Sequence, residues 1–477
     1  MNDSSSRHTF ILLATAFVLL LGASALPWGD LTGNRLKDFN LLGDLFPSDK
    51  STAAVAASPI VDPELEELIA SAQAAAEGAA GSGAGSVAVA DSASDDTVAW
   101  IPPFEEAPVV NGHVVVECYT GGEPLGKLKA ALAQAANRTV RIGVVGDSFI
   151  EGDIFTQDLR NLLQERYGGC GVGYVPMHSS MAGFRRSVRA GGEGWETFNI
   201  LNMPRNDSVR FISGEYAVAA PTATATYKGS SDYAGTASWE RSRFVAIARD
   251  TCSVTLTAAD GASVSTRLLP SPRPQEVLLE ANTNKLTVST EGEGLIGLGV
   301  YLDGSAGVAV DCMSSRGSSG LNLRGLNAAN CSAAVDYDLI IVEYGINALS
   351  ADQADYAYYR IGMTSALEKL KRVYPHAEII VFGIADRGAK VDGTVRSLPT
   401  CNAMTHAQRL AAQRAGVNFY DLRAAQGGEG AIVEWRNRQL VNADYIHLNH
   451  RGGRVLAEEF LEGLMLSLQS ENSTAAL

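Results

Sequence analysis

Residues 141–155, RIGVVGDSFIEGDIF, combine a short apolar strand, a Gly-Asp-Ser turn and the start of a helix. Ile142 and Val144 have the branched apolar side chains of a buried parallel strand. Asp147 and Ser148 are good N-cap residues for the helix that the following apolar spacing predicts. The stretch therefore places Ser148 at the carboxyl edge of a parallel sheet and on a helix N-terminus, where developing negative charge is favoured. That position suits a nucleophile, although a serine that only caps the helix fits this stretch equally well.

The composition of the chain excludes several classes of function. The 477 residues are 46% hydrophobic, which is ordinary for a globular protein of two or three domains. A formal net charge of −15 argues against nucleic-acid partners and against anionic membrane surfaces, because both repel negative charge. The 6 cysteines are widely spaced, without a CxxC motif or a Cys/His cluster, so the sequence predicts no zinc site. Disulfides and buried free thiols both remain open.

The N-terminal region predicts export. Residues 9–21, TFILLATAFVLLL, form an uncharged apolar run, and the ASA segment at 23–25 matches a small-x-small cleavage site. Residues 9–28 together approach the ~20 residues that span a bilayer, so membrane attachment through them is the alternative to cleavage. We expect residues 1–28 to be a signal peptide or a membrane anchor, and the rest of the chain to be exported to the periplasm or the cell surface.

Composition and strand patterns divide the remaining chain. Residues 29–98 are rich in Ala, Ser, Gly and Asp, which predicts a flexible linker. Strand and helix patterns alternate in residues 99–185 and again in 308–470, which predicts one α/β domain with a parallel sheet between helices. Residues 186–307 show short β-branched runs separated by turn residues, which predicts an inserted β-sandwich. Residues 471–477 form a tail.

A base for the serine and a group that orients this base have candidates before the last predicted helix. His447 is the base, and Asp444, three residues earlier, can fold back to hold one imidazole nitrogen. His450 is the competing base, but it fits the start of the final helix better. The pairing of Asp444 with His447 leaves the other ring nitrogen free to accept the serine proton.

Donors for an oxyanion also follow predicted strands. Asn347 offers a side-chain amide, Gly317 a backbone N–H without a side chain in the way, and Ser148 its own N–H. Chemistry collects at this edge in open α/β sheets. Asp386 and Arg387 follow another strand at the same edge and are candidates for substrate contacts.

The remaining candidates are two acids that follow Ser148 and several aromatic residues of the inserted segment. We interpret Glu151 and Asp153 as exposed acids in the first turn of a helix, where they complement its dipole. Aromatic residues of the inserted segment either form a sugar-stacking surface or fill its core; they are Trp195, Tyr227, Tyr233 and Trp239.

The candidate nucleophile, oxyanion donors, acid and base, taken in their order along the chain, resemble the sequence blocks of the SGNH (GDSL-type) hydrolases. The matching blocks are Gly146-Asp147-Ser148, then Gly317 (or Gly320 in the same loop), then Gly345-Ile346-Asn347, and finally Asp444-x-x-His447. Ala348 departs from the pattern, since the third block usually ends in Asp. The inserted β segment and GDSFIEGDIF resemble, more narrowly, exported peptidoglycan O-acetylesterases, whose inserted module is similar to carbohydrate-binding domains.

The resemblance implies a fold and a chemistry. The fold is a flavodoxin-like three-layer α/β domain with an inserted β-sandwich. Ser148 would attack an ester carbonyl, His447 would act as base and then acid, and Asp444 would fix its tautomer. The N–H groups of Ser148 and Gly317 and the Asn347 amide would hold the oxyanion, without metal or organic cofactor.

The resulting prediction is an exported serine esterase that removes O-acetyl groups from a polysaccharide, with peptidoglycan as the foremost substrate. Two alternatives stay open. One is a polysaccharide O-acetyltransferase that uses the same triad, because water and a sugar hydroxyl compete for one acyl-enzyme. The other is a non-catalytic glycan-binding surface protein.

Overall fold

The computed structural model describes residues 101–179, 182–200, 202–204, 207–391 and 393–469. The predicted signal peptide or anchor (1–28), the linker (29–98) and the tail (471–477) lie outside the described residues. Within the described ranges, no helix is both long and apolar enough to cross a bilayer.

Strands and helices alternate at both ends of the described chain, and strands alone fill its middle. The strands are β1 (Val109–Val110), β2 (His113–Val114), β3 (Thr139–Gly146), β4 (Gly171–Val175), β5 (Val188–Asn199), β6 (Glu215–Gly229), β7 (Trp239–Ala248), β8 (Cys252–Ala258), β9 (Ser263–Leu268), β10 (Gln275–Thr283), β11 (Lys285–Glu291), β12 (Leu295–Asp303), β13 (Gly307–Ser314), β14 (Leu339–Glu343), β15 (Glu378–Phe382), β16 (Gly388–Val391), β17 (Thr394–Ser397) and β18 (Asn418–Tyr420). The α-helices are α1 (Gly126–Leu132), α2 (Thr156–Tyr167), α3 (Ala328–Ala334), α4 (Ala357–Val373), α5 (Thr400–Ala415), α6 (Leu422–Gln426), α7 (Ala431–Asn437) and α8 (His450–Gln469).

The α/β domain is built on a 5-stranded parallel sheet with the spatial order β13-β3-β14-β15-β18. Counted from β3 as the first strand, this is the flavodoxin-like order of doubly wound sheets. The chain passes from β3 to β13 on one side and later to β14 on the other. The order therefore reverses at β3, and a crevice opens at the carboxyl ends of β3 and β14, where such folds bind ligands. The predicted fold class is confirmed.

Side chains of the parallel sheet alternate between two buried layers. Val144 and Ile341 belong to the cluster that includes residues of α1, α2 and α8. Val145 and Val342 belong to the opposite cluster, which includes residues of α3, α4 and α5. Each fully buried side chain of this type contributes roughly 1.5–3 kcal/mol to folding. The sheet thus holds its carboxyl edge rigidly, because both of its faces are covered.

The inserted β domain is a 9-stranded antiparallel sheet made of β4 to β12. It has two layers, β10-β7-β12-β4 and β5-β6-β11-β8-β9, which are continuous through a short pairing between β12 and β6. β10 also approaches β8 and β9, so the sheet curls around a core of its own. β4 pairs with β12, although it lies in the segment 99–185 that we predicted to be the first part of the α/β domain.

All 6 cysteines are free thiols. Cys118 and Cys170 are half-buried, and the other cysteines are buried. Burial raises the pKa of the Cys118 and Cys170 thiols to about 11, so neither is a thiolate at neutral pH. The cysteines therefore act here as small apolar side chains rather than as cross-links.

Candidate active site

The candidate nucleophile, Ser148, lies in a turn directly after β3. At Gly146, a β-carbon would come within 2.7 Å of the Glu343 carbonyl oxygen, so only glycine allows β3 and β14 to approach so closely. A 3-10 turn at Glu151–Asp153 follows, and α2 begins only at Thr156. The central glycine of that turn has a φ of 69°, which interrupts the helix. Ser148 therefore does not lie at a helix N-terminus as expected, and the alternative that it only caps a helix is wrong as well.

Ser148, His447 and Asp444 form one hydrogen-bonded chain. Ser148 Oγ lies 2.9 Å from His447 Nε2, and His447 Nδ1 lies 2.8 Å from Asp444 Oδ2. Ser148 is buried, whereas the side chains of His447 and Asp444 are 35% and 43% exposed. A carboxylate on Nδ1 favours the tautomer with the proton on that nitrogen, so Nε2 can accept the serine proton.

The loop 441–448 presents the base and the acid together. Its ends are joined by an antiparallel bridge between Val441 and Leu448. Asp444 Oδ1 accepts the backbone N–H groups of Ile446 at 3.0 Å and of His447 at 3.1 Å. Burial raises the pKa of Asp444, but the hydrogen bonds from His447 and Ile446 outweigh it and leave this pKa below its ordinary value. The carboxylate is therefore ionised at neutral pH.

His450 begins α8, as expected from the sequence, and its Nδ1 lies 2.8 Å from Gln157 Nε2. Burial and the charge of Arg186 lower the pKa of His450. The neutral ring can therefore accept a hydrogen bond from Gln157. Its hydrogen bond joins α8 to α2, and His447 is the histidine in contact with Ser148.

The backbone N–H groups expected to bind the oxyanion differ in whether they already donate to another protein atom. Within the described residues, the N–H groups of Ser148 and Gly317 donate to no other protein atom. Gly317 is exposed and follows β13. Gly320, the alternative, donates its N–H to Ser318 Oγ at 3.0 Å and packs against the ring of Tyr344. Gly317 is therefore the better candidate for the second backbone donor.

Asn347 lies in the 3-10 turn Ile346–Ala348 that follows β14. Its Nδ2 donates to Asp147 Oδ2 at 2.9 Å and to the carbonyl oxygen of Ser318 at 3.0 Å. Both amide hydrogens are therefore engaged, which differs from the free oxyanion donor that we predicted. In this structure Asn347 instead ties the nucleophile turn to the loop that carries Gly317.

Part of the chain is similar to a known family, and most of it is similar to a solved structure. The model of the GDSL-like Lipase/Acylhydrolase family matches residues 298–455, which include the later blocks of the site. A solved peptidoglycan O-acetylesterase shares the fold over 75% of this chain and 99% of its own, with a TM-score of 0.59 and 22% identity. The chain carries a GDSL-type SGNH hydrolase domain. It is accordingly an enzyme that acts on ester bonds.

Other solved structures match less closely. An acetyl xylan esterase is 17% identical over 32% of this chain and 80% of its own, with a TM-score of 0.26. A family two carbohydrate esterase from Cellvibrio japonicus is 13% identical over 59% of this chain and 98% of its own, with a TM-score of 0.24. No curated protein matches the chain in sequence. The matched family segment excludes Ser148, because the β domain separates the first block from the rest of the SGNH domain.

A pair of buried carboxyl groups lies beneath the nucleophile turn of the SGNH domain. Asp147 Oδ1 accepts the N–H of Phe149 at 2.9 Å, and Glu343 Oε2 lies 3.4 Å from the N–H of Asp147. Burial raises the pKa of Asp147 to about 7, and burial together with Asp147 raises the pKa of Glu343 well above its ordinary value. Sequence reasoning missed Glu343, although an acid that ends an apolar strand was a signal.

The interpretation of Glu151 and Asp153 as exposed acids is wrong. Asp153 is fully buried, and its carboxylate accepts from Arg160 at 2.8 and 2.9 Å and from Arg185 at 3.2 Å. Burial raises the pKa of Asp153, but these two arginines outweigh it and hold the pKa far below its ordinary value. Glu151 pairs with Arg316. Because Arg185 precedes β5, the Asp153 network fastens the β domain to the segment after the nucleophile.

The two predicted substrate contacts after β15 have different surroundings. Asp386 is buried, and its carboxylate accepts from Arg423 at 3.0 Å and from the N–H of Ile432 at 3.0 Å. Asp386 therefore forms a structural ion pair with Arg423, and the prediction that Asp386 contacts substrate is wrong. Arg387 is half-buried and donates to the carbonyl oxygen of Ile346 at 3.5 Å, beside the Asn347 turn.

The aromatic residues of the β domain mostly support its interior. Tyr227 and Trp239 are fully buried in its core. Trp195 donates to a backbone carbonyl, and the hydroxyl of Tyr233 donates to a carboxylate of α2. The aromatic side chain that sequence reasoning missed is Phe184, which is 64% exposed near the nucleophile segment. Within the described residues, no group of His, Cys, Asp or Glu is arranged to hold a metal ion.

Proposed function

We propose that this SGNH enzyme removes O-acetyl groups from an exported polysaccharide, with peptidoglycan as its foremost substrate. The observation that carries the proposal is the chain of hydrogen bonds from Ser148 through His447 to Asp444 at the crevice of the sheet. The fold shared with a peptidoglycan O-acetylesterase, including its extent over 99% of that protein, supports this choice of substrate. The inserted β domain beside the site supports a polymeric rather than a small substrate.

In the proposed reaction, each step is assigned to a residue of this chain. Ser148 Oγ attacks the acetyl carbonyl while His447 Nε2 accepts its proton. The N–H groups of Ser148 and Gly317 stabilise the oxyanion, and one such donor contributes roughly 10²–10³ to kcat in a comparable hydrolase. His447 then protonates the departing sugar oxygen, which leaves acetyl-Ser148. Water, deprotonated by His447, attacks this ester, and His447 returns the proton to Ser148 Oγ as the bond to the acetyl group breaks and acetate leaves. Ionised Asp444 stabilises each imidazolium.

Export is part of the same proposal. Its support is the apolar run of residues 9–28, followed by the long Ala/Ser/Gly-rich segment of the predicted linker. A retained anchor would hold the enzyme close to a cell-wall polymer, and the linker would let it reach acetyl groups over a range of distances. Fractionation of cells that produce the full chain tests this, since recovery in the cytosol contradicts it.

The test of the activity is acetate release from O-acetylated peptidoglycan and from acetylated xylan. We expect faster release from peptidoglycan, and loss of release from both when Ser148 is replaced by Ala. Equal failure on both polymers overturns the proposed substrate class. If an added glycan acceptor becomes acetylated while free acetate falls, the enzyme is a transferase instead.

A further inference from the structure

A cavity of about 330 Å³ lies between the SGNH domain and the β domain. Its polar wall includes Glu151, Arg316 and Glu215, and its apolar wall includes Val188 and Ile200. We propose that this cavity is a carbohydrate subsite, which holds the sugar ring next to the acetylated one. This proposal rests on the proposed function. Mixed walls of this kind fit a pyranose ring, which has apolar C–H faces and a polar edge.

The cavity adjoins the catalytic residues through its Glu151–Arg316 wall. The N–H of Glu151 donates to the carbonyl oxygen of Ser148 at 3.4 Å. Arg316 pairs with Glu151 and directly precedes Gly317, the candidate oxyanion donor. The same two segments therefore carry the nucleophile, the oxyanion donor and one wall of the cavity. A polymer with its ester at Ser148 can place a neighbouring ring in this space.

Glu215 contributes a carboxyl group to the wall of this cavity. It begins β6, and within the described residues its carboxyl group has no hydrogen-bond or ion-pair partner. Removal from bulk water and the nearby Glu151 raise the pKa of Glu215 to about 8. The neutral acid has one O–H donor and further acceptor capacity, which suits the hydroxyl or acetamido groups of a sugar. Because no protein group in the described part of the chain occupies this carboxyl, it is available to a ligand in the cavity.

Phe184 supplies an aromatic face beside the cavity. It ends the 3-10 turn Ala182–Phe184, and its side chain is 64% exposed. Its Cβ lies 3.5 Å from the place where a β-carbon on Gly152 would be, and Gly152 lines the cavity. An exposed aromatic ring next to a mixed polar and apolar cavity provides a stacking surface for a sugar. Phe184 therefore lies beside the cavity whose wall includes Glu215.

Three variants test the subsite. Phe184→Ala removes the stacking face, Glu215→Met removes the hydrogen-bonding group, and Glu215→Gln keeps a neutral group that donates and accepts. Matched controls are Leu269→Ala, an exposed apolar residue of the β domain, and Glu291→Gln, an exposed acid at the end of β11. Each protein is assayed for kcat/KM on p-nitrophenyl acetate and on O-acetylated peptidoglycan.

We expect Phe184→Ala and Glu215→Met to lower kcat/KM on the polymer about tenfold or more, with less than about a twofold change on the small ester. Glu215→Gln and both controls should behave like the wild type on both substrates. Unchanged polymer turnover in Phe184→Ala and Glu215→Met overturns the subsite, and so does an equal loss on both substrates.

A binding assay separates this subsite from the proposed function. The Ser148→Ala enzyme is sedimented with insoluble O-acetylated peptidoglycan, with and without Phe184→Ala. We expect the second change to weaken binding, which supports the subsite even if the wild type releases no acetate and the proposed function fails. Equal binding of the two proteins overturns the subsite, even where acetate release supports the function.

Discussion

Replacing Asp444 by Asn isolates the contribution of the acid to the triad. The amide oxygen can still accept the N–H groups of Ile446 and His447, which lie 3.0 and 3.1 Å from Asp444 Oδ1, so the loop retains its turn. The amide nitrogen then faces His447 Nδ1, now 2.8 Å from Asp444 Oδ2. A donor at that place favours the tautomer with the proton on Nε2, which cannot accept the proton of Ser148.

The expected loss of kcat depends on how far the side chain of Asp444 is exposed to water. In a well-buried triad this exchange lowers kcat by about 10⁴. Because the side chain of Asp444 is 43% exposed, water can partly replace its interactions, and we expect a loss of roughly 10²–10³, equivalent to about 3–4 kcal/mol. KM for a small ester should change little, since neither tautomer of His447 alters the ground-state contacts of the acetyl group.

The assay is steady-state hydrolysis of p-nitrophenyl acetate, with the melting temperature as a control for folding. Asp260→Asn is a matched variant, because Asp260 accepts the N–H of Ala262 at 3.0 Å in an exposed turn without a histidine. We expect it to keep the wild-type kcat. If Asp444→Asn folds normally and keeps kcat within about threefold of the wild type, the assigned role of Asp444 is wrong.

Four changes outside the triad have expected effects on stability. Asp153→Asn leaves the buried charge of Arg160 without its partner, so urea unfolding should show a loss of about 3–5 kcal/mol; a loss below about 1 kcal/mol would contradict the network. Folding raises the pKa of Asp147 from 3.8 to about 7, so the contribution of Asp147 to stability falls as pH rises from about 4 to 7. Asp147→Asn does not titrate, and its melting temperature relative to the wild type should therefore increase over that window; a constant difference would refute this. Gly317→Ala, at a φ of 76° with open space around its β-carbon, should cost about 1–2 kcal/mol and keep its N–H. Gly320→Ala should cost more in the same melting assay, because its β-carbon would lie 2.7 Å from a tyrosine ring, and equal costs would contradict that packing.

The parallel sheet was predictable because its strands are fully buried. Runs of branched apolar residues predict strands at 339–343 and 378–382, and β14 and β15 have these bounds. The first strands of the β domain were missed, since β6 is rich in Ala and Thr and contains Pro, and β5 contains several glycines. Residues 208–212 are among the short runs that predict strands in the inserted segment, but they form none. Their apolar side chains pack from irregular backbone into the core cluster that includes residues of α3, α4 and α5.

The site was predictable where its geometry is local or follows from the sheet. Asp444 and His447 meet within one loop, so their spacing was informative. The surroundings of Asp386 depend on Arg423, which a different element supplies, and no local pattern reports such a partner. The same holds for Glu215, whose position in the cavity depends on how the β domain packs against the SGNH domain.

Covalent labelling with a fluorophosphonate tests most directly whether Ser148 is the nucleophile. Such reagents react with a serine that a neighbouring base activates. Peptide mapping of the labelled protein should locate one adduct, on Ser148, and Ser148→Ala should carry none. His447→Ala should react far more slowly, because its Nε2, 2.9 Å from Ser148 Oγ, no longer accepts the proton. An adduct on another serine, or undiminished labelling of Ser148→Ala, would contradict the account.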